Sequence, residues 1–154
     1  MSTAVQIQLP EGLPLVGVSL LSTVILLIYQ TILAGRARKA AQIPFPQPLA
    51  EKAQEEASFE AKKFNCAQRA HANTLEWLPS VYLTTLLSAI KYPELAAGLL
   101  AGWTFTRVLY TRGYASGIPE KREVGVLVGF LLQLGLLGTS IVVVGSGMKA
   151  YLAS

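Results

Sequence analysis

Four apolar stretches divide the chain, and charge interrupts them only at their ends or at a few regularly spaced positions. No charged residue lies between Glu11 and Arg36, and LPLVGVSLLSTVILLIYQTILA is long enough to cross a hydrocarbon layer of roughly 30 Å as one helix. It predicts a first helix over about residues 13–39. IPFPQPL from Ile43 alternates three prolines and cannot continue a helix, while AEKAQEEASFEAKK from Ala50 is charged and rich in helix formers. Together they predict a charged loop over about 40–59 containing a solvated helical stretch. A second helix follows over about 60–90, with Pro79 expected to kink it, and no charge from Trp77 to Ile90. Lys91, Tyr92 and Pro93 leave room only for a tight turn, so the second and third helices should be antiparallel neighbours. The third, about 94–114, carries Arg107 and then Arg112 near its end. Gly117 and Pro119 break the chain again, and a fourth helix over about 122–150 has no charge between Glu123 and Lys149. Its glycines at 125, 129, 135, 138 and 145 suit close helix packing in lipid. The expected fold is all-α, a four-transmembrane-helix bundle forming a single domain over residues 1–154.

Composition agrees with that pattern. Of 154 residues, 52% are hydrophobic and 14% charged, and mean hydropathy is +0.45, low in charge for a soluble domain. A cleaved signal peptide is a poor fit to the N-terminal run, which lacks a basic start and exceeds the roughly 7–15 residues of a typical apolar core. It is expected to be retained. One cysteine, Cys66, excludes an internal disulfide, and one histidine, His71, leaves no Cys/His cluster for a metal. The net charge of +4 is explained by topology better than by nucleic acid. Arg36, Arg38, Lys39, Lys52, Lys62, Lys63, Arg112, Lys121 and Arg122 border the first and third loops, against Lys91 and Lys149 at the other ends. Basic loops stay in the cytosol, so both termini are expected to be lumenal or exterior.

The chemistry gathers on two stripes. In FNCAQRAHANTLE, Arg69, Asn73 and Glu76 fall at helical offsets of four and three, just before an apolar run. Charged groups exposed to lipid there cost roughly 2.5–3.5 kcal/mol each on insertion scales, so they should face protein or a wet cavity. Trp103, Arg107, Tyr110 and Tyr114 form the second stripe. A rim of Arg38, Arg69, Arg107 and Lys121 or Arg122 suits carboxylates, Glu76 suits an ammonium, and Asn73, Tyr110 and Tyr114 add hydrogen-bonding handles. A small peptide satisfies that set better than free phosphate or a metal. A structural ion pair is the competing reading of Arg69 and Glu76. Belt aromatics are the competing reading of the tyrosines.

FNCAQRAHANTLE, RVLYTRGY and GIPEKR together resemble the membrane-associated proteins in eicosanoid and glutathione metabolism, the MAPEG family, from about Arg36 into the last helix. The resemblance implies a homotrimer in the endoplasmic reticulum, with glutathione as co-substrate bound between protomers near the cytosolic face, and a lipophilic second substrate. It implies glutathione contacts from Arg38, Arg69, Asn73, Glu76, Tyr110 and Tyr114. The thiol-activating cation is Lys121 or Arg122 depending on a one-residue shift, with Arg122 favoured. Trp77 departs from the tyrosine of several relatives and puts one peptide contact in doubt. No metal and no nucleic acid are implied.

A free thiol has a pKa near 8.5, and a guanidinium in a water-poor site favours the anion. The activity that the resemblance implies, a glutathione transferase or glutathione-dependent peroxidase with a leukotriene-C4-synthase-like reaction as a variant, would start from that thiolate. The alternative is a non-enzymatic lipid-binding or scaffold protein of the same family.

Overall fold

The computed structural model describes residues 10–153. Five helices and a 3-10 turn make up the described chain, with no strand. They are α1 (Leu13–Ala40), α2 (Lys52–Ala57), α3 (Phe59–Ala89), α4 (Pro93–Tyr114), the 3-10 turn Pro119–Arg122 and α5 (Glu123–Leu152). The four long helices form the bundle, and α4 packs against α1, α3 and α5. By length and composition α1 and the stretch Pro119–Leu152 are each apolar enough to cross a membrane.

Local sequence explains the boundaries. Pro14 lies in the first turn of α1 and Pro93 opens α4, positions where an absent N–H costs no helical bond. Arg38 and Lys39 close α1 against its negative dipole end. The charged stretch before the second long helix is not continuous with it. Ser58 adopts an extended backbone, ends α2 and caps α3, its Oγ accepting from the Ala61 N–H. Helix α3 then runs without interruption across Pro79.

The core is layered along the bundle. Leu78, Val81, Leu100, Trp103 and Leu136 pack at its centre, Val16, Ala89, Ala96 and Ala97 near the α3–α4 turn, and Ile43, Ala50, Ala61 and Phe64 under the first loop. Hydroxyls tie helices together between these layers. Ser19 donates to the Ala97 carbonyl at 2.9 Å and Ser88 to the Leu136 carbonyl at 3.2 Å, while Thr23 meets the Tyr82 phenol. Outward positions are the reverse of a soluble bundle. Val18, Ile25, Leu83, Phe105, Leu127 and Ile141 are all exposed, as befits a lipid-facing surface.

Two glycines set the approach of the last helix. A Cβ on Gly125 would lie 2.7 Å from the Tyr110 backbone nitrogen, and one on Gly113 would lie 2.2 Å from the Lys121 carbonyl oxygen. The expectation for the glycine series is met only in part. Gly129 and Gly135 also face α4 side chains, whereas Gly138 and Gly145 have nothing within 4 Å in the protomer. Gly125→Ala should lower stability by about 1–3 kcal/mol, because backbone rather than a movable side chain opposes the added methyl. Gly17→Ala, at a position open to 4 Å, should cause no loss; thermal melts of the solubilised proteins compare the two.

Candidate functional site

The bundle interior holds a buried polar seam. Gln30 on α1 donates through Nε2 to Thr74 Oγ1 on α3 at 2.9 Å and to Thr111 Oγ1 on α4 at 2.7 Å. Thr74 and Thr111 pass their own protons to the carbonyls of Ala70 and Arg107, one turn back on their helices. Their oxygens are thus left as acceptors. Arg107, 5% exposed, uses the Thr74 acceptor from α4, donating through Nε and Nη2 to Thr74 Oγ1 at 3.2 and 2.9 Å, and through Nη2 to Asn73 Oδ1 at 2.9 Å.

Arg107 meets only neutral acceptors. Among the described residues the ion pairs are Lys52–Glu56 and Lys63–Glu60, both near the protein surface. The guanidinium instead lies 3.9 Å over the Tyr110 ring and 5.7 Å from that of Trp103. Asn73 carries the arrangement outward, its Nδ2 donating to Glu76 Oε2 at 3.4 Å. A positive charge held in low dielectric without a carboxylate raises the local affinity for an anion.

Arg107, Asn73 and Tyr110 open onto a cavity of about 710 Å³ between α3, α4, the 3-10 turn and α5, within the range of small-molecule sites. One end is charged. Arg122 faces it, its guanidinium 4.2 Å over the Tyr114 ring, and Glu120 and Glu123 lie at the same end. The other end is apolar and walled by aromatics, with Trp77 and Phe130 in edge contact at 6.5 Å and Trp103 also lining the cavity. Two cations, two carboxylates and an oily recess suit an anion that also carries an ammonium, alongside a lipophilic chain.

The eight sequence-predicted site residues divide. Asn73, Tyr110 and Arg122 line the cavity, and Tyr114 stands next to it in edge contact with Tyr110 at 5.8 Å. Arg69 and Glu76 lie on the exposed side of α3 rather than in this protomer's cavity, and Lys121 is exposed on the 3-10 turn. No ion pair joins Arg69 to Glu76, so a structural pair does not account for them. Arg38 is engaged elsewhere. It donates to the carbonyls of Gln47 at 2.6 Å, Pro44 at 3.4 Å and Pro48 at 3.4 Å, and stacks between Phe45 and Phe64 at 4.4 and 4.5 Å. Within one protomer it fastens the first loop to α1.

The sequence pattern does not single out Thr74, Gln30, Glu120, Glu123 or Gln133. A signal for Gln133 is nonetheless present, since it continues the spacing of Gly125 and Gly129 and is the one amide in the apolar run of α5. Trp77, doubtful as a peptide contact, forms part of the apolar wall.

The MAPEG family model matches residues 16–142. The chain belongs to the MAPEG family. This is a membrane-integral helical family that includes glutathione transferases and peroxidases and uses glutathione as a substrate. In this MAPEG protein the matched segment contains the whole cavity and the seam behind it.

Two outcomes follow from the geometry. Thr74→Val keeps the shape but removes the acceptor shared by Gln30 and Arg107, and should lower stability by about 2 kcal/mol, read from the melting temperature. Arg38→Ala should raise amide hydrogen exchange across residues 43–50 by about tenfold while leaving α4 protection unchanged.

Proposed function

We propose that the protein is a membrane-bound glutathione transferase and glutathione-dependent peroxidase that acts on lipophilic substrates. The observation that carries the reading is the pairing, in one cavity, of two guanidinium groups with an apolar aromatic recess. Arg122 holds the glutathione sulfur as thiolate. Its guanidinium is half-buried and stacked on Tyr114, so the charge is held in place near a low-dielectric wall, where it favours the anion.

Two reactions start from that thiolate. Attack on an electrophilic carbon forms a C–S bond and expels the leaving group or opens a ring. Attack on the terminal oxygen of a hydroperoxide breaks the O–O bond and releases an alcohol, and a second glutathione then completes the disulfide and water. Both draw the second substrate from the lipid side, through the recess that Trp77 and Phe130 wall.

The outward charges on α3 support assembly. Arg69 and Glu76 lie exposed on a helix whose other exposed positions include Leu75, Leu83 and Leu86, and such charges are costly against acyl chains. In a homotrimer they turn toward a neighbouring protomer and contribute, with Asn73, Tyr110 and Tyr114, to holding the tripeptide's carboxylates and amine. Arg38 acts in that site through the loop it fastens. The basic ends of the helices support a site on the cytosolic side of the membrane, which this reading takes to be the endoplasmic reticulum, with both termini lumenal.

Arg122→Ala should lower turnover with a haloaromatic by about 100-fold and abolish the ultraviolet thiolate band of bound glutathione, while Lys121→Ala stays within about threefold of the parent. An Arg122→Ala protein with full turnover and an intact band removes the residue from that role. Absence of glutathione binding at millimolar concentration removes the transferase reading in favour of a lipid-binding protein.

A further inference from the structure

Three buried side-chain atoms among the described residues lack a hydrogen-bond partner, namely Gln30 Oε1, Thr85 Oγ1 and Gln133 Oε1. Of the three residues only Gln133 lines the cavity. It is 7% exposed, and it lies at the apolar end. The orientation of its amide is fixed by Thr84. Thr84 Oγ1 lies 2.8 Å from the Ser80 carbonyl and 3.2 Å from that of Val81, so its single proton is committed to the backbone. Its oxygen is therefore an acceptor and takes the Gln133 Nε2–H at 3.4 Å. Turning the amide over would set carbonyl oxygen against hydroxyl oxygen with no proton between them. The orphan atom is thus a carbonyl oxygen, and what it lacks is a donor.

Position restricts where that donor comes from. Gln133 follows Arg122 along α5 by three turns, about 16 Å at the helical rise. On α5 the wall between them is apolar, Val126, Leu127, Gly129 and Phe130, while Trp77 and Trp103 line the cavity from α3 and α4 together with Asn73, Arg107 and Tyr110. A molecule with its reacting centre at Arg122 reaches Gln133 by laying a chain along the apolar α5 wall.

We propose that Gln133 is a specificity-determining residue that selects a second substrate whose apolar tail carries a hydroxyl remote from the reacting centre, donating to Gln133 Oε1. The proposal rests on the transferase reading for the reacting end alone; recognition of the hydroxyl belongs to Gln133 and its apolar surroundings. A chain ending in methyl leaves the carbonyl unpaired, and sites built around a buried polar group discriminate against analogues that cannot satisfy it.

Both tryptophans of the chain, Trp77 and Trp103, line the cavity, so occupancy is readable from intrinsic fluorescence without turnover. Full-length protein in nanodiscs is titrated with a length series of ω-hydroxy fatty acids and with unsubstituted fatty acids of matched length, the carboxylate standing in for the anionic reacting end. At the length that reaches Gln133 the hydroxylated chain should bind about fivefold tighter or better. Gln133→Leu should erase that preference without weakening the methyl-ended chain. If its melt shows that Gln133→Leu does not fold, Gln133→Met keeps the length without the amide oxygen. Equal affinities in the parent protein at every length, or a preference that survives removal of the amide, overturns the proposal. Glutathione binding on the same preparations separates the two readings. A hydroxyl preference without glutathione binding leaves the assignment of Gln133 standing and removes the transferase; glutathione binding without the preference does the opposite.

Discussion

A guanidinium buried among neutral acceptors is the constraint around which the bundle is arranged. Arg107 is held by Thr74 and Asn73 on α3 and by the faces of Tyr110 and Trp103 on its own helix. Each partner is short or rigid, which limits the entropy lost in holding the charge still. Gln30 extends the support to α1, so three helices converge on one cation and their register is coupled. Burying such a group is costly unless its donors are used, and the seam uses those on Nε and Nη2 while leaving the charge itself uncancelled. In the proposed function, stability and affinity for anions come from the same residues.

That arrangement also divides labour between cations. Arg107 is fixed deep in the seam, Arg122 stands at the cavity end on a turn, and Arg38 is consumed by three loop carbonyls. Only the second stands on a short turn rather than in a helix interior. In its proposed role beside a reacting sulfur, Arg122 benefits from being held by the Tyr114 face, which orients it without spending its donors. The loop held by Arg38 is further secured by Asn65, which exchanges hydrogen bonds with the Ala50 backbone at 2.7 and 3.0 Å. The first loop is therefore anchored to both α1 and α3.

The all-helical fold was legible because apolar runs, prolines and charge-free lengths are local signals. Family membership was legible because FNCAQRAHANTLE and its companions combine rare polar positions inside apolar helices. Less could be read of the site. Arg107 was visible as a lone charge, but nothing in Thr74 or Gln30 distinguishes a hydroxyl or amide that supports a cation from one that merely bonds its own helix. The stripe of Arg69, Asn73 and Glu76 was correct as a face of a helix, yet periodicity does not say whether a face meets the same chain or another. The structure turns Asn73 inward and leaves the two charges exposed on the protomer. Arg38 illustrates the same limit, since the carbonyls that claim it are brought close by the backbone of the proline-rich loop.

The contacts of Gly113 and Gly125 bear on how this site can change over time. Both bring main chain against main chain, Gly113 at the Lys121 carbonyl and Gly125 at Tyr110. The position of Arg122 relative to Tyr114 is consequently inherited from two backbones, and it owes little to the residues that link them. Of the linking positions, Ala115, Ser116 and Ile118 are the freer to drift in sequence, whereas Gly117 is held to glycine by its φ of +82° and by Phe59, 2.9 Å from any added Cβ. Substrate preference in descendants of this chain can then be remodelled at the rim and along the apolar wall while the charged end stays in register.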